Sequence, residues 1–156
     1  MGVEIERKFL VDRNKWVPAN KGLSIRQGYI SDDKDRIVRI RTRGDRGYIT
    51  IKGANEGLSR LEMEYEIPHI DAANLLDKLC LKPLIEKKRY IEEYQGHIWE
   101  IDVFFGDNEG LIVAEVELSA PDEKVELPPW IIREVSDDSR YYNSNLIKNP
   151  YTRWTY

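Results

Sequence analysis

Cysteine is almost absent from this chain of 156 residues: Cys80 is the only one. No intrachain disulfide can form, and a cysteine-based metal site lacks its ligands. Cys80 lies in the apolar stretch from Leu75 to Leu81 and reads as a small core residue. An excess of positive charge is also missing. With 24 Lys and Arg against 28 Asp and Glu the net charge is -4, so no overall basic field recruits nucleic acid or anionic lipid. No apolar run approaches the length that spans a bilayer, and the opening Met-Gly-Val-Glu-Ile-Glu-Arg-Lys has no apolar leader region. A cytoplasmic protein without membrane contact is expected. The two histidines, His69 after Pro68 and His97 in a turn, have no neighbours that suggest a His-based metal site. Internal repeats and low-complexity segments are lacking as well, and the length suits one domain over residues 1–156.

What is abundant is charge of both signs, at 33% of residues against roughly 25% in ordinary globular domains. That excess needs a location, and period-two alternation supplies one. Val3, Ile5, Arg7, Phe9 and Val11 alternate with Glu4, Glu6, Lys8 and Leu10. Further strands are predicted around Ser24 to Ile30, with Ile25, Gln27 and Tyr29 on one side, and over Arg36 to Arg43, Tyr48 to Lys52 and Arg60 to Ile67. Three more follow at Glu86 to Tyr94, His97 to Phe105 and Leu111 to Ser119. Between them Ala72, Leu75, Leu76, Leu79 and Cys80 have helical spacing that ends before Pro83, and a short C-terminal helix is predicted over Ser139 to Lys148. Pro121 to Pro129 reads as a loop. The expected fold is mainly β (α+β).

The polar faces of these strands are not arbitrary mixtures. Carboxylates recur at i and i+2 in Glu4 and Glu6, Glu62 and Glu64, and Glu115 and Glu117; bases do so in Arg39 and Arg41 and in Lys87 and Arg89. Side chains two apart on a strand share a face roughly 7 Å apart, so like charges there repel unless a counter-charge lies between them. Eight antiparallel strands can close into a barrel, which removes open edges and gives one face an interior. If the charged faces point inward, the apolar faces point outward and need cover. Leu75 to Leu79, Leu146, Ile147, Trp130, Tyr141 and Tyr142 are the expected cover, with a second subunit as a further source, so a homodimer is expected. Buried acids and bases must neutralise each other, bind ions or stay hydrated. Hard divalent cations prefer carboxylates and phosphates prefer Lys and Arg, so a mixed lining suits Mg²⁺ or Mn²⁺ with a polyphosphate, and the chemistry favoured is phosphoanhydride hydrolysis.

These residues carry a resemblance. Glu4-Ile5-Glu6-Arg7-Lys8 matches the Glu-x-Glu-x-Lys signature of the CYTH superfamily, the triphosphate tunnel metalloenzymes. Arg39-x-Arg41, Lys52, Glu62-x-Glu64, Lys87-x-Arg89, Asp102 and Glu115-x-Glu117 follow in that family's order, so the resemblance covers nearly the whole chain. It implies an eight-stranded antiparallel closed barrel with a few flanking helices, with triphosphate bound along its interior. By position, Lys8, Arg39, Arg41, Lys52, Lys87 and Arg89 would contact phosphates. Glu4, Glu6, Asp102, Glu115 and Glu117 would bind metal or orient the attacking water, and Glu62 and Glu64 would bind metal or hold the basic residues. A Tyr and Lys facing each other influence activity in small bacterial members, which makes Tyr29 and Lys87 the corresponding pair. Arg43 and Glu66 extend their strands toward one rim, and Arg133 and Glu134 fall in a stretch, Trp130 to Val135, similar to the family's C-terminal part.

The leading expectation is an inorganic triphosphatase that cleaves tripolyphosphate to pyrophosphate and phosphate. The resemblance also admits an adenylate cyclase of the small bacterial class and a thiamine or nucleoside triphosphatase. A non-catalytic polyphosphate-binding module would keep the bases and lack the acids, whereas here both sets are complete.

Overall fold

In the computed structural model, which describes residues 2–155, the eight alternating segments form strands and a short ninth strand joins them. They are β1 (Val3–Val11), β2 (Leu23–Asp33), β3 (Arg36–Arg43), β4 (Arg46–Gly53), β5 (Ser59–Ile67), β6 (Ile85–Tyr94), β7 (His97–Phe104), β8 (Ile112–Glu117) and β9 (Ile131–Glu134). Met1 and Tyr156, the ends of the expected single unit, lie outside the described residues. Eight strands form an antiparallel ring in the order β1-β5-β4-β3-β2-β6-β7-β8 and back to β1. The seam is short: β1 meets β5 only through Val3↔Leu61, Glu4↔Arg60 and Ile5↔Ser59. Further along β1, β9 pairs through Phe9↔Glu134 and Leu10↔Arg133. This ninth strand lies outside the expected eight. Its sequence, Ile-Ile-Arg-Glu, has no period-two pattern, so the free edge of β1 creates the strand.

Two predicted elements change shape. β2 runs past Ile30 to Asp33 because its register shifts between Tyr29 and Ser31; the bulge resets the alternation and lets Asp32 and Asp33 stay in a ladder with β3. The expected C-terminal helix breaks into a 3-10 turn, Ser139–Tyr141, and a single helical turn, α2 (Asn143–Leu146). Ser and Asn side chains compete for backbone groups here, as when Asn145 Nδ2 donates to the Ser139 carbonyl at 2.8 Å.

The helix predicted after Pro68 forms as α1 (His69–Lys78) and packs Ala72, Leu76 and the following Cys80 against Ile40, Ile49 and Ile67 on the outside of the ring. It approaches β4 so closely that a Cβ on Gly47 would lie 2.6 Å from the Ala72 Cβ. Leu79, expected to join this cover, faces solvent instead at 63% exposure. Outside β1, β7 and β8, Phe9, Trp99, Ile101 and Val116 are covered by Trp16 and Trp130. The outward face of β1, β4 and β5 is bare: Val3, Ile51, Leu61, Met63 and Tyr65 are between 45 and 59% exposed.

The inward faces behave differently at the two ends of the lumen. On five strands the same face passes from charged to apolar in one step of two residues: Lys8 to Leu10, Arg39 to Ile37, Lys87 to Ile85, Asp102 to Phe104 and Glu115 to Val113. Because neighbouring strands are antiparallel, all five steps point to one end. There Ile37, Ile85, Phe104 and Val113 pack with Val135, Tyr141, Leu146 and Ile147. Tyr141, Leu146 and Ile147 therefore fill the interior and do not cover the outer face as expected. Tyr142 is likewise displaced from that role and lines the charged cavity.

Candidate active site

The charged part of the lumen is a cavity of about 230 Å³. β1 contributes Glu4, Glu6 and Lys8, β3 contributes Arg39, Arg41 and Arg43, and Lys52 comes from β4. Glu62 and Glu64 come from β5, Lys87 and Arg89 from β6, Glu100 from β7, and Glu115 and Glu117 from β8. Tyr29 on β2 lines it too. Of the sequence-predicted residues only Asp102 is not on the cavity wall. Its side chain, 2% exposed, sits behind Lys87 and Arg89. Exposure falls along the lumen from Glu100 and Glu64, at 37 and 29%, to Lys87 at 2%, so the apolar end is the closed one.

Ion pairs set most of these side chains. Asp102 accepts two bonds from Arg89, Nε at 2.8 Å and Nη2 at 2.9 Å, and pairs with Lys87 Nζ at 2.9 Å. Lys52 Nζ lies 3.0 Å from Glu4 and 3.2 Å from Glu62. Glu64 takes Arg39 at 3.3 Å, Arg41 at 3.4 Å and the Thr50 hydroxyl at 2.8 Å through one oxygen. Lys8 Nζ is 3.6 Å from Glu115 and donates to the Tyr141 carbonyl at 3.3 Å. Lys87 Nζ also donates to Asn143 Oδ1 at 2.9 Å. On the outside, Arg7 pairs with Glu134 at 2.7 Å and His97 meets Glu123 at 2.5 Å, while Arg133 donates to the hydroxyl of the interior Tyr141 at 3.4 Å.

Two mismatches remain inside. Arg39 Nε and Arg41 Nε are buried with no acceptor among the described residues, and burial together with the neighbouring Arg39 and Arg89 charges pulls the Arg41 guanidinium down to about 9. That region is short of negative charge. The opposite holds around Glu6: burial first, then the Glu115 and Glu4 charges, push its carboxyl well above the usual range. Burial also raises Glu4 in spite of Lys52. Glu115 is equally buried, yet Lys8 and Arg89 outweigh the burial and hold it down to about 2. Among the described residues, Glu6 and Glu117 form no ion pair. An anion suits the first region and a hard cation the second, since crowded carboxylates disfavour their own ionisation until a positive charge arrives. Among the described residues no three carboxylates already form a cage.

The model of the CYTH domain family matches residues 2–147. The chain belongs to this family. A similar protein, the inorganic triphosphatase of Acetivibrio thermocellus, is 52% identical over 151 residues, 97% of each chain. The crystal structure of an inorganic triphosphatase superposes with a TM-score of 0.66 at 32% identity, covering 92% of this chain and 93% of that one. A putative adenylate cyclase from Bacillus halodurans has the same fold, with a TM-score of 0.63, 16% identity and coverage of 78 and 84%.

Several residues of this CYTH cavity were not singled out as ligands from sequence. Glu100 lies on the same strand face as Asp102, so period two alone reaches it, and Arg60 and Arg43 extend the Glu62 and Arg41 faces in the same way. Ser136, Tyr142, Asn143 and Ser144 come from the C-terminal segment, whose sequence carries no periodic signal for a position inside a barrel. The chain has no helix long and apolar enough to cross a membrane among its described residues.

Proposed function

We propose that this protein is an inorganic triphosphatase that hydrolyses tripolyphosphate to pyrophosphate and phosphate with Mg²⁺ or Mn²⁺. The observation that carries the reading is a cavity closed at one end whose wall sets Lys8, Arg39, Arg41, Lys52, Lys87 and Arg89 against paired carboxylates, with Arg41 crowded by like charge. Phosphate oxygens are acceptors with the right charge, and Arg and Lys bind them strongly. The cavity volume lies below the roughly 300–1,000 Å³ of pockets that enclose drug-sized organic ligands, which suits a bare polyphosphate better than a whole nucleotide. The relatives' names point the same way.

In this reading Lys8, Arg39, Arg41, Lys52, Lys87 and Arg89 hold the phosphates and spread the charge that develops on the transferring phosphoryl group. Asp102 and Glu64 fix the directions of Lys87, Arg89, Arg39 and Arg41 through the ion pairs above. Glu4, Glu6, Glu115 and Glu117 are the residues that would hold the cation, with Glu62 sharing Lys52 with Glu4. The cation supplies a Lewis acid and a water acidified toward neutral pH. Water oxygen bonds to the terminal phosphorus as the bridging P–O bond breaks. The departing oxygen leaves on pyrophosphate, and the proton lost by the water passes to solvent or to a carboxylate.

The bare face of Val3, Ile51, Leu61, Met63 and Tyr65 supports a homodimer. Light scattering of the wild type and of Met63→Glu tests it; a wild-type monomer would remove the dimer from the account. The function itself is tested with purified protein offered tripolyphosphate, ATP, GTP and thiamine triphosphate in turn, with cyclic AMP assayed in the ATP samples. Preferential cleavage of tripolyphosphate supports the reading, whereas cyclic AMP and pyrophosphate from ATP would make the protein a cyclase.

A further inference from the structure

The C-terminal segment does more than close the lumen. At the boundary between its apolar and charged parts, Asn143 Oδ1 accepts from Lys87 Nζ at 2.9 Å and from Gln27 Nε2 at 3.0 Å, and the same Gln27 Nε2 lies 3.0 Å from the Tyr29 hydroxyl oxygen. The direction of this chain of bonds is forced from one end. A lysine ammonium has donors only, so the Asn143 atom that faces it must be the carbonyl oxygen. Gln27 must then present its N–H₂ to that oxygen, because the reverse orientation would set two carbonyl oxygens against each other. Gln27 Nε2 in turn makes the Tyr29 oxygen an acceptor, which leaves the Tyr29 proton to point elsewhere.

The forced direction has a cost and a product. The cost is Gln27 Oε1, which is buried without a partner among the described residues; turning the amide over would give it the Tyr29 hydroxyl but would break the Asn143 bond. The product is two donors without an acceptor among the described residues, Asn143 Nδ2 and the Tyr29 hydroxyl, both on residues that line the cavity. Phosphate oxygens accept only, whereas water donates as well as accepts, so a donor pair fixed in this sense favours the anion.

Building on the triphosphatase reading, we propose that Asn143 is a substrate-binding residue whose Nδ2 group donates to a non-bridging oxygen of the innermost phosphoryl group, beside the Tyr29 hydroxyl. Lys87 then has two functions at this floor: it neutralises phosphate charge, and it orients the neutral carboxamide that reads the phosphate's acceptors.

Asn143→Ala and Asn143→Asp separate direct contact from positioning of Lys87. Asp keeps an acceptor for Lys87 and Gln27 but replaces the donor with a second acceptor oxygen; Ala removes both functions. Binding of tripolyphosphate is measured calorimetrically in EDTA, steady-state hydrolysis with Mg²⁺, and folding by thermal melting. The expected result is a loss of tripolyphosphate affinity of about tenfold in Asn143→Ala, the size of one hydrogen bond to a charged group, and a larger loss in Asn143→Asp, with cooperative melting retained. Affinity within twofold of wild type in Asn143→Ala would overturn the proposal. So would tighter binding in Asn143→Asp than in Asn143→Ala, which would reduce Asn143 to an acceptor for Lys87. Failure of the wild type to hydrolyse tripolyphosphate would instead remove the triphosphatase reading, and the binding titrations would still report on Asn143.

Discussion

The two halves of the barrel lumen solve the problem of a filled interior in opposite ways. The closed half is packed with Ile37, Ile85, Phe104, Leu146 and Ile147, which bury apolar surface and ask nothing of their neighbours. The charged half places acids and bases face to face and still leaves Arg39 Nε and Arg41 Nε unpaired and Glu6 among like charges. Buried, unpaired polar groups oppose folding, so the second half is stable only because the first half and the outer face support it. The lesson is a division of labour along one set of strands. Residues of the closed half determine whether the chain folds, and residues of the charged half determine what it binds.

Asp102 stands at the junction and is the exception that sharpens the contrast. Its removal leaves Lys87 and Arg89 buried without their carboxylate, so Asp102→Asn is expected to lower stability by about 3–5 kcal/mol, measured by urea unfolding. A loss under about 1 kcal/mol would mean that the substrate end, not the ion pair, fixes these cations.

Within the charged half the effect moves from stability to function. Glu4→Gln or Glu117→Gln is expected to reduce kcat by roughly 10²–10³-fold with an unchanged circular dichroism spectrum, and normal turnover in both would refute their role at the cation. Lys52→Ala is expected to raise the Kd for tripolyphosphate by roughly tenfold or more and to leave unfolding nearly as in the wild type. The closed half should behave in reverse. Leu146→Ala, at a fully buried position, is expected to cost about 2–5 kcal/mol of stability, and a smaller loss would show that the C-terminal segment is not part of the core.

The smallest effect is a proton. Burial pulls the Lys87 ammonium down to about 8, against the pull of Asp102 in the other direction. A bound phosphate favours the charged form and raises that value again. Binding at pH 8 to 9 is therefore accompanied by proton uptake, and affinity declines as the pH rises above about 8. Calorimetry in buffers of different ionisation enthalpy reads this directly; heats independent of the buffer would exclude Lys87 as the titrating group.

The barrel was legible because its information is local. Alternation at Glu4 to Lys8, Arg39 to Arg41 or Glu115 to Glu117 specifies a strand and the residues that share each of its faces, and eight such strands can close into a ring, the arrangement that the family resemblance implies. What could not be read depends on partners distant in sequence. β9 is a strand only because β1 offers an edge, and Asn143 reaches Lys87 only after the chain has passed over the barrel's end. The switch from Lys8 to Leu10 or from Lys87 to Ile85 was visible residue by residue, but its meaning required knowing that all such steps meet at one end. The outer-cover expectation failed for Tyr141, Leu146 and Ile147 for that reason: apolar residues were assigned to the outside while part of the inside was also apolar.

Phosphorus NMR of tripolyphosphate incubated with the protein and Mg²⁺, before and after EDTA, tests the central claim most directly. The account predicts loss of the resonance of the central phosphorus of tripolyphosphate, with phosphate and pyrophosphate formed in equal amounts, and arrest of the reaction on addition of the chelator. A tripolyphosphate spectrum that stays unchanged in the presence of Mg²⁺ or Mn²⁺ would contradict it.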